Sequence, residues 1–185
     1  MISTPRLRLR ELTTSDVDEL VALDADPEVM RFLTNGKPTA RSTVADVHLP
    51  WDLDVYARHP GLGRYAAELD DGTFVGWFAL TPREGGALEL GYRLRREVWG
   101  SGLATEGSLA LLAYAFARPE TAWVYAETMA VNRPSRRVLE RIGLRYVRTF
   151  HVDFDDPIPG TEHGEVEYAI TRSEWHADQS GSAGF

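Results

Sequence analysis

ELGYRLRREVWGSGLATEG, residues 89–107, passes from strand to loop to helix in one continuous run. Its first part belongs to an alternating segment, Ala87 to Arg95. There Leu88, Leu90, Tyr92 and Leu94 share one face, and Glu89, Gly91 and Arg93 the other. A period of two marks a strand with one apolar face. Gly100 and Gly102 then open a nearly wholly apolar helix, Leu103 to Ala117, which Pro119 stops. A helix apolar on nearly every side is buried against a sheet. A glycine-bearing loop that feeds a helix N-terminus aims backbone N–H groups and positive potential outward, so it can cradle a phosphate or pyrophosphate. Gly-x-Gly alone also fits a plain tight turn. Neither common nucleotide signature applies. The third glycine of a dinucleotide fingerprint is Thr105 here, and no G-x-x-x-x-G-K-[ST] run occurs.

Upstream, Arg64 to Leu69 and Phe74 to Leu80 read as strands joined by an Asp71-Gly72 hairpin. Thr4 to Leu12 alternates Leu7 and Leu9 with Arg6, Arg8 and Arg10, and reads as the first strand. Thr13 to Asp16 is a helix start before Val17, Leu20 and Leu23. Residues 40–58 are predicted as a second helix, broken at Pro50. Downstream, VYAETMAVNRPSRRVLERIGL, residues 124–144, is a strand followed by a short amphipathic helix. Pro134 suits its first turn, and Gly143 its C-terminal cap. Asn132 and Ser135 at its start are, by residue type alone, helix-capping residues. Leu144 to Phe154 and Glu165 to Thr171 are two further strands around a proline-bearing loop. The order βααβββαβαββ predicts the α/β class, with a mixed sheet covered by helices on both faces. One domain spans residues 4–175, and the small polar tail at 176–185 is predicted to be frayed and flexible.

A formal net charge of −8 speaks against a nucleic-acid partner, which needs a basic surface. The absence of cysteine removes disulfides and thiolate metal sites, and the five histidines form no ligand spacing, so no metal is expected. No run approaches the ~20 apolar residues that span a bilayer. The N-terminal MISTPRLRLREL lacks the apolar region of a signal peptide, so the expectation is a cytoplasmic protein with no membrane partner.

Three groups of residues carry a further signal. They are Glu89-Leu90-Gly91-Tyr92, then Trp99-Gly100-Ser101-Gly102-Leu103-Ala104-Thr105-Glu106, then Asn132, Ser135, Val138-Leu139-Glu140 and Gly143-Leu144. In this order they resemble the GNAT superfamily of acetyl-coenzyme A-dependent N-acetyltransferases, and are most similar to its ribosomal-protein-alanine acetyltransferase-like branch. Thr4 to Arg10 also looks like that family's first strand. The resemblance implies a GNAT-like α+β mixed sheet of about seven mostly antiparallel strands. The fourth and fifth strands would splay apart, with about four helices on the two faces. It implies that the backbone of Gly91, Tyr92, Arg93, Leu94 and Arg95 pairs with the pantetheine arm of acetyl-coenzyme A. The amides of Gly100, Ser101, Gly102, Leu103, Ala104 and Thr105 would hold the pyrophosphate. Asn132 would bond the arm, and Ser135 would lie near the thioester sulfur. Glu97 stands where the family usually has Gln or Arg, and is expected to face solvent. Leu139 stands where many members have a tyrosine that protonates the leaving thiolate, which leaves Ser135 as the local replacement.

The implied reaction moves an acetyl group to a primary amine, on a protein N-terminus or a small molecule, by direct attack in a ternary complex. Such amines have pKa values of about 8 to 10.4 and are mainly protonated at neutral pH. A carboxylate is the usual group to take that proton. Glu89 and Glu127, in the strands lining the splay, are the candidate bases, although each could instead pair with an arginine. Glu165 and Glu167 on the last strand are further candidates. The acceptor pocket is expected between the first two helices and the 155–163 loop, in a monomer or homodimer. Two other classes compete: a non-catalytic acyl-coenzyme A-binding module, favoured by Leu139, and a nicotinamide oxidoreductase built on Gly100-x-Gly102, opposed by Thr105.

Overall fold

Eight strands form one sheet in the order β1-β2-β3-β4-β5-β6-β8-β7, in a computed structural model that describes residues 1–182. The strands are β1 Ile2–Ser3, β2 Arg8–Glu11, β3 Gly63–Glu68, β4 Phe74–Pro82, β5 Ala87–Leu94, β6 Trp123–Met129, β7 Arg145–Phe150 and β8 Glu165–Thr171. Every neighbouring pair is antiparallel except β5–β6, which is parallel. A parallel pair needs a crossover, and helix α5, Leu103–Ala117, supplies it. The other helices are α1 Val17–Asp24, α2 Arg31–Thr34, α3 Arg41–Thr43, α4 Leu49–Arg58, α6 Arg133–Arg141 and α7 Arg172–Ser182. The predicted mixed sheet holds, with eight strands where about seven are expected, and with seven α-helices among the described residues where about four are. The expected fourth and fifth strands are β5 and β6, because the two-residue β1 precedes the first predicted one.

One prediction is corrected. Pro50 does not break the second helix. Instead α3 runs through a π-helical turn, Val44–His48, into α4, and the Leu49 N–H bonds the Val44 carbonyl five residues back. That wider turn delivers Pro50 to the first turn of α4, where its missing N–H leaves no bond unmade. Helix α7, not read from the sequence, takes in residues 172–182. This helix is held by Trp175, whose ring stacks on Phe116 at 5.6 Å, and by Arg172, which donates to the Phe116 carbonyl oxygen at 2.6 Å. Residues 183–185 lie outside the described part.

The sheet buries both faces. On one, Leu111, Leu112, Ala115 and Phe116 of α5, with Leu139 and Ile142 of α6, pack on Leu90, Val124, Val166 and Ile170. On the other, Leu20 and Leu23 of α1, with Val44 and Leu49, pack on Ala66 and Phe74. Each fully buried leucine contributes about 1.5–3 kcal/mol. The alternation read from the sequence is the one observed. Leu88, Leu90 and Leu94 are buried in the α5–α6 layer, whereas Arg93 turns the other way and pairs with Asp24 at the end of α1. The second core contains no residue of β6, β7 or β8, so the first four helices shelter only the β2–β5 half of that face.

Candidate active site

β5 and β6 touch along only part of their length. Ala87, Leu88 and Glu89 pair with Trp123, Val124 and Tyr125, and there the ladder stops. Beyond it, Leu90 to Leu94 remain fully paired to β4 on the far side, and Ala126 to Met129 to β8. The result is a V-shaped opening inside a continuous sheet. One wall is a five-residue strand edge whose backbone donors and acceptors lack a neighbouring strand. Such groups demand a partner. An extended ligand rich in amides, such as a pantetheine arm, meets that demand as an inserted strand would.

The mouth of the opening leads to the loop before α5. Gly100 and Gly102 both adopt left-handed backbone conformations, with φ of 74° and 87°. Gly102 is the N-cap, and the first intrahelical bond is Glu106 N–H to its carbonyl, at 3.0 Å. The N–H groups of Leu103, Ala104 and Thr105 therefore have no partner within the helix, as at any helix start. A side chain built at Gly100 would meet nothing within 4 Å, so the loop is open on its outer side. Together, the free strand edge and the open amide loop fit the two ends of acetyl-coenzyme A.

Arg6 is a residue that motif reading passes over. It donates to the Ser101 carbonyl oxygen at 2.9 Å and pairs with Glu106 at 2.6 Å, and Thr4 donates to the same carboxylate. Partial burial alone would raise the Glu106 carboxyl, but the Thr4 and Arg6 bonds outweigh it and hold the group below the usual carboxylate range. Arg6, in the turn between β1 and β2, thus pins the loop before α5 and offsets the Glu106 charge beside it. Its only early signal was the Thr4 to Arg10 segment. Arg6→Ala is expected to weaken acetyl-coenzyme A binding about 5- to 20-fold, the scale of one charge-assisted hydrogen bond lost. Titration calorimetry of the variant measures it, and unchanged affinity would remove Arg6 from the loop's support. Glu97 is exposed, as expected.

Asn132 caps α6. Its Oδ1 accepts from the Ser135 N–H at 3.3 Å, and its Nδ2 donates to Thr128 Oγ1 at 3.1 Å. Ser135 faces the opening, where the Tyr92 hydroxyl donates to its Oγ at 3.4 Å. Leu139 is buried in the core at 1% exposure, so no hydroxyl or other titratable group stands there.

The two candidate bases differ in their surroundings. Glu89 is held by Arg83 at 2.5 Å and accepts from the Tyr125 hydroxyl at 3.4 Å. Glu127 is exposed and has neither a hydrogen bond nor an ion pair among the described residues. Partial desolvation against the sheet, then the Glu89 and Glu167 carboxylates, raise its pKa against an opposing pull from Arg148. Glu167 is buried and paired with Arg148 at 2.7 Å, and desolvation raises Glu165. All four carboxylates lie on the strand face opposite the α5–α6 core. At the edge of this face, a surface hollow of about 530 Å³ is lined by Val152, Ile158, Pro159 and Glu162 of the β7–β8 loop. Lys37, after α2, ties the same loop through Asp156 at 2.8 Å. Among the described residues no group of side chains is arranged to hold a metal, and no helix is long and apolar enough to cross a membrane.

Residues 6–145 match the family model for the acetyltransferase (GNAT) domain. The chain belongs to this family and is an acetyl-coenzyme A-dependent N-acetyltransferase. It is 37% identical to FsC-acetyl coenzyme A-N(2)-transacetylase of Aspergillus fumigatus, over 94% of this chain and 77% of that protein. Among solved structures it superposes on spermidine N-acetyltransferase from Vibrio cholerae in complex with coenzyme A and spermine. The TM-score is 0.77 at 16% identity, over 94% of this chain and 99% of that one. It also superposes on RimL, a ribosomal-protein alpha-N-acetyltransferase in complex with coenzyme A, with a TM-score of 0.77 at 18% identity, over 91% and 95% of the two chains. These likenesses exclude the nicotinamide reading.

Proposed function

We propose that this enzyme acetylates a primary amine, on a small molecule or a protein N-terminus, by direct attack on acetyl-coenzyme A held between β5 and β6. The observation that carries the reading is the parting of those two strands after Glu89, which leaves the Leu90–Leu94 edge open to the arm. The amides of residues 100 to 105 would hold the pyrophosphate, and Asn132 and Ser135 would line the thiol end. Acetyl-coenzyme A supplies an activated acyl carbon and a leaving thiol that titrates near 8.5. The acceptor amine would enter from the carboxylate-bearing face, between the helices at Lys37 and the β7–β8 loop. The named acceptors of two similar proteins, an N(2) amine and spermidine, favour a small-molecule amine.

The chain's own part is to take one proton and to steady the departing sulfur. Glu127 suits the first task better than Glu89. The Glu89 carboxylate is occupied by Arg83, whereas Glu127 makes no ion pair among the described residues and has a raised pKa. A carboxylate whose pKa is raised is, once ionised, a stronger base. As pH falls through its pKa the base is protonated and turnover is lost, so wild-type kcat/KM has an acid limb above the ordinary carboxylate value. Glu127→Gln is expected to lower kcat about 100-fold and to abolish that limb. The assay is release of coenzyme A thiol across a panel of amines, and the chain's lack of cysteine removes protein background. Persistence of the acid limb in the variant would transfer the role to another carboxylate. Tight acetyl-coenzyme A binding with no turnover on any amine would replace the proposal with the non-catalytic module.

A further inference from the structure

Across the parted stretch between β5 and β6, one side-chain hydrogen bond is made among the described residues: Tyr92 to Ser135. Tyr92 lies on β5 where the ladder has already ended, facing the α5–α6 layer, with its ring tilted against Phe78 at 6.0 Å. Ser135 lies in the first turn of α6, fixed through its own backbone N–H by the Asn132 cap. The bond therefore ties the two walls of the opening at the level where the residues proposed for the thiol end stand.

The direction of that bond has consequences for the serine. A hydroxyl carries one hydrogen and two lone pairs. Tyr92 donates, so one lone pair of Ser135 Oγ is occupied and its own hydrogen must go elsewhere. A helical serine ordinarily returns that hydrogen to a carbonyl one turn back. Here Ser135 Oγ makes no such bond, and the Asn132 carbonyl already accepts from the Arg136 N–H at 3.2 Å. With no such bond formed, the hydrogen is free to turn toward the opening. A hydroxyl that accepts one hydrogen bond also donates a better one. Burial raises the Tyr92 phenol above its ordinary pKa, so it remains a donor across the working pH range.

We infer that Tyr92 is a positioning residue for catalysis: it fixes the Ser135 hydroxyl as a donor toward the sulfur that leaves when the acetyl group is transferred. The inference rests on the reading that the thioester lies between β5 and β6. In the step itself, the amine nitrogen bonds the acetyl carbon, the carbon–sulfur bond breaks and its electron pair goes to sulfur. The amine proton goes to the base. Ser135 Oγ–H contributes a hydrogen bond to the sulfur without losing its proton, and Tyr92 holds that hydroxyl in the donating orientation.

The test is a double-mutant cycle on the full chain with Tyr92→Phe, Ser135→Ala and the pair, measuring kcat by thiol release and acetyl-coenzyme A affinity by calorimetry. Tyr92→Phe keeps the ring against Phe78 and removes only the hydroxyl. Its kcat is expected to fall about tenfold, the scale of one well-placed hydrogen bond, with affinity within about twofold of wild type. The double variant should be no slower than Ser135→Ala alone, because Tyr92 acts only through that serine. Ser135→Thr, which keeps a hydroxyl, should retain the dependence on Tyr92. A Tyr92→Phe enzyme as fast as wild type would overturn the inference. So would losses that multiply in the double variant, which would show that the phenol acts through packing or by itself. A wild-type protein that binds acetyl-coenzyme A but acetylates no amine would defeat the proposed function first, and this inference with it.

Discussion

Gly102→Val is expected to raise the dissociation constant for acetyl-coenzyme A at least about 100-fold while leaving the protein folded. The two halves of that expectation come from different observations. Gly102 has φ of 87° at the N-cap of α5, a conformation that a β-branched residue adopts only at a cost. Relaxing it turns the amides that follow. Losing two hydrogen bonds to a pyrophosphate at about 1.5 kcal/mol each is enough for a 100-fold change. The space, by contrast, is available: a side-chain carbon at Gly102 would come only to 3.5 Å from Arg6 Nη2, an ordinary van der Waals contact. Titration calorimetry gives the affinity and circular dichroism the fold. A folded variant with wild-type affinity would show that the pyrophosphate does not use this loop.

Gly76→Val should instead unfold the protein, or destabilise it by more than about 4 kcal/mol. Gly76 has φ of 137°, and a carbon added there overlaps the Arg93 carbonyl oxygen and lies 2.8 Å from Leu94 Cα. Both obstacles are backbone of β5, which cannot yield without breaking the β4–β5 ladder where Gly76 pairs with Leu94. Gly72→Val is the control. It also has positive φ, at 84°, but an added carbon meets nothing within 4 Å, so only the conformational cost of about 1–2 kcal/mol remains. Urea denaturation of the two variants separates overlap from strain. Equal losses would mean that the close approach of β4 to β5 does not matter.

The parts of the fold legible from sequence are those where period and punctuation agree. Helix α5 from Leu103 to Ala117 and strand β8 from Glu165 to Thr171 have the predicted bounds, because apolar runs there end at glycine, proline or an abrupt change of period. Pro50 misled because a proline breaks a helix only if the preceding turn cannot widen, and a π turn is not visible in residue types. Helix α7 escaped the reading because the contacts of its first turn, through Trp175 and Arg172, reach segments far away in sequence. In the site, the Gly100–Thr105 loop and the Asn132–Ser135 start were readable as local motifs. The partners were not. Arg6 reaches Ser101 and Glu106, and Tyr92 reaches Ser135, each over a sequence separation that only the folded sheet closes, while the arginine foreseen as an alternative partner of Glu89 is Arg83. Asn132 is the instructive overlap. Its cap on α6 is real, and capping is also what fixes a polar side chain at the lip of the opening.

The incomplete ladder between β5 and β6 also bears on how long a molecule of this enzyme survives. A sheet with a gap of five residues is held together less firmly than a closed one, and whatever fills the gap stabilises only the folded form. By mass action, a ligand at one hundred times its dissociation constant adds about 2.7 kcal/mol to the folded state. Much of a domain's total margin is only several times that. If acetyl-coenzyme A fills the gap as proposed, the population of opened, protease-sensitive chains falls as its supply rises. Depletion of the cosubstrate would lower both the rate of the enzyme and the number of intact copies.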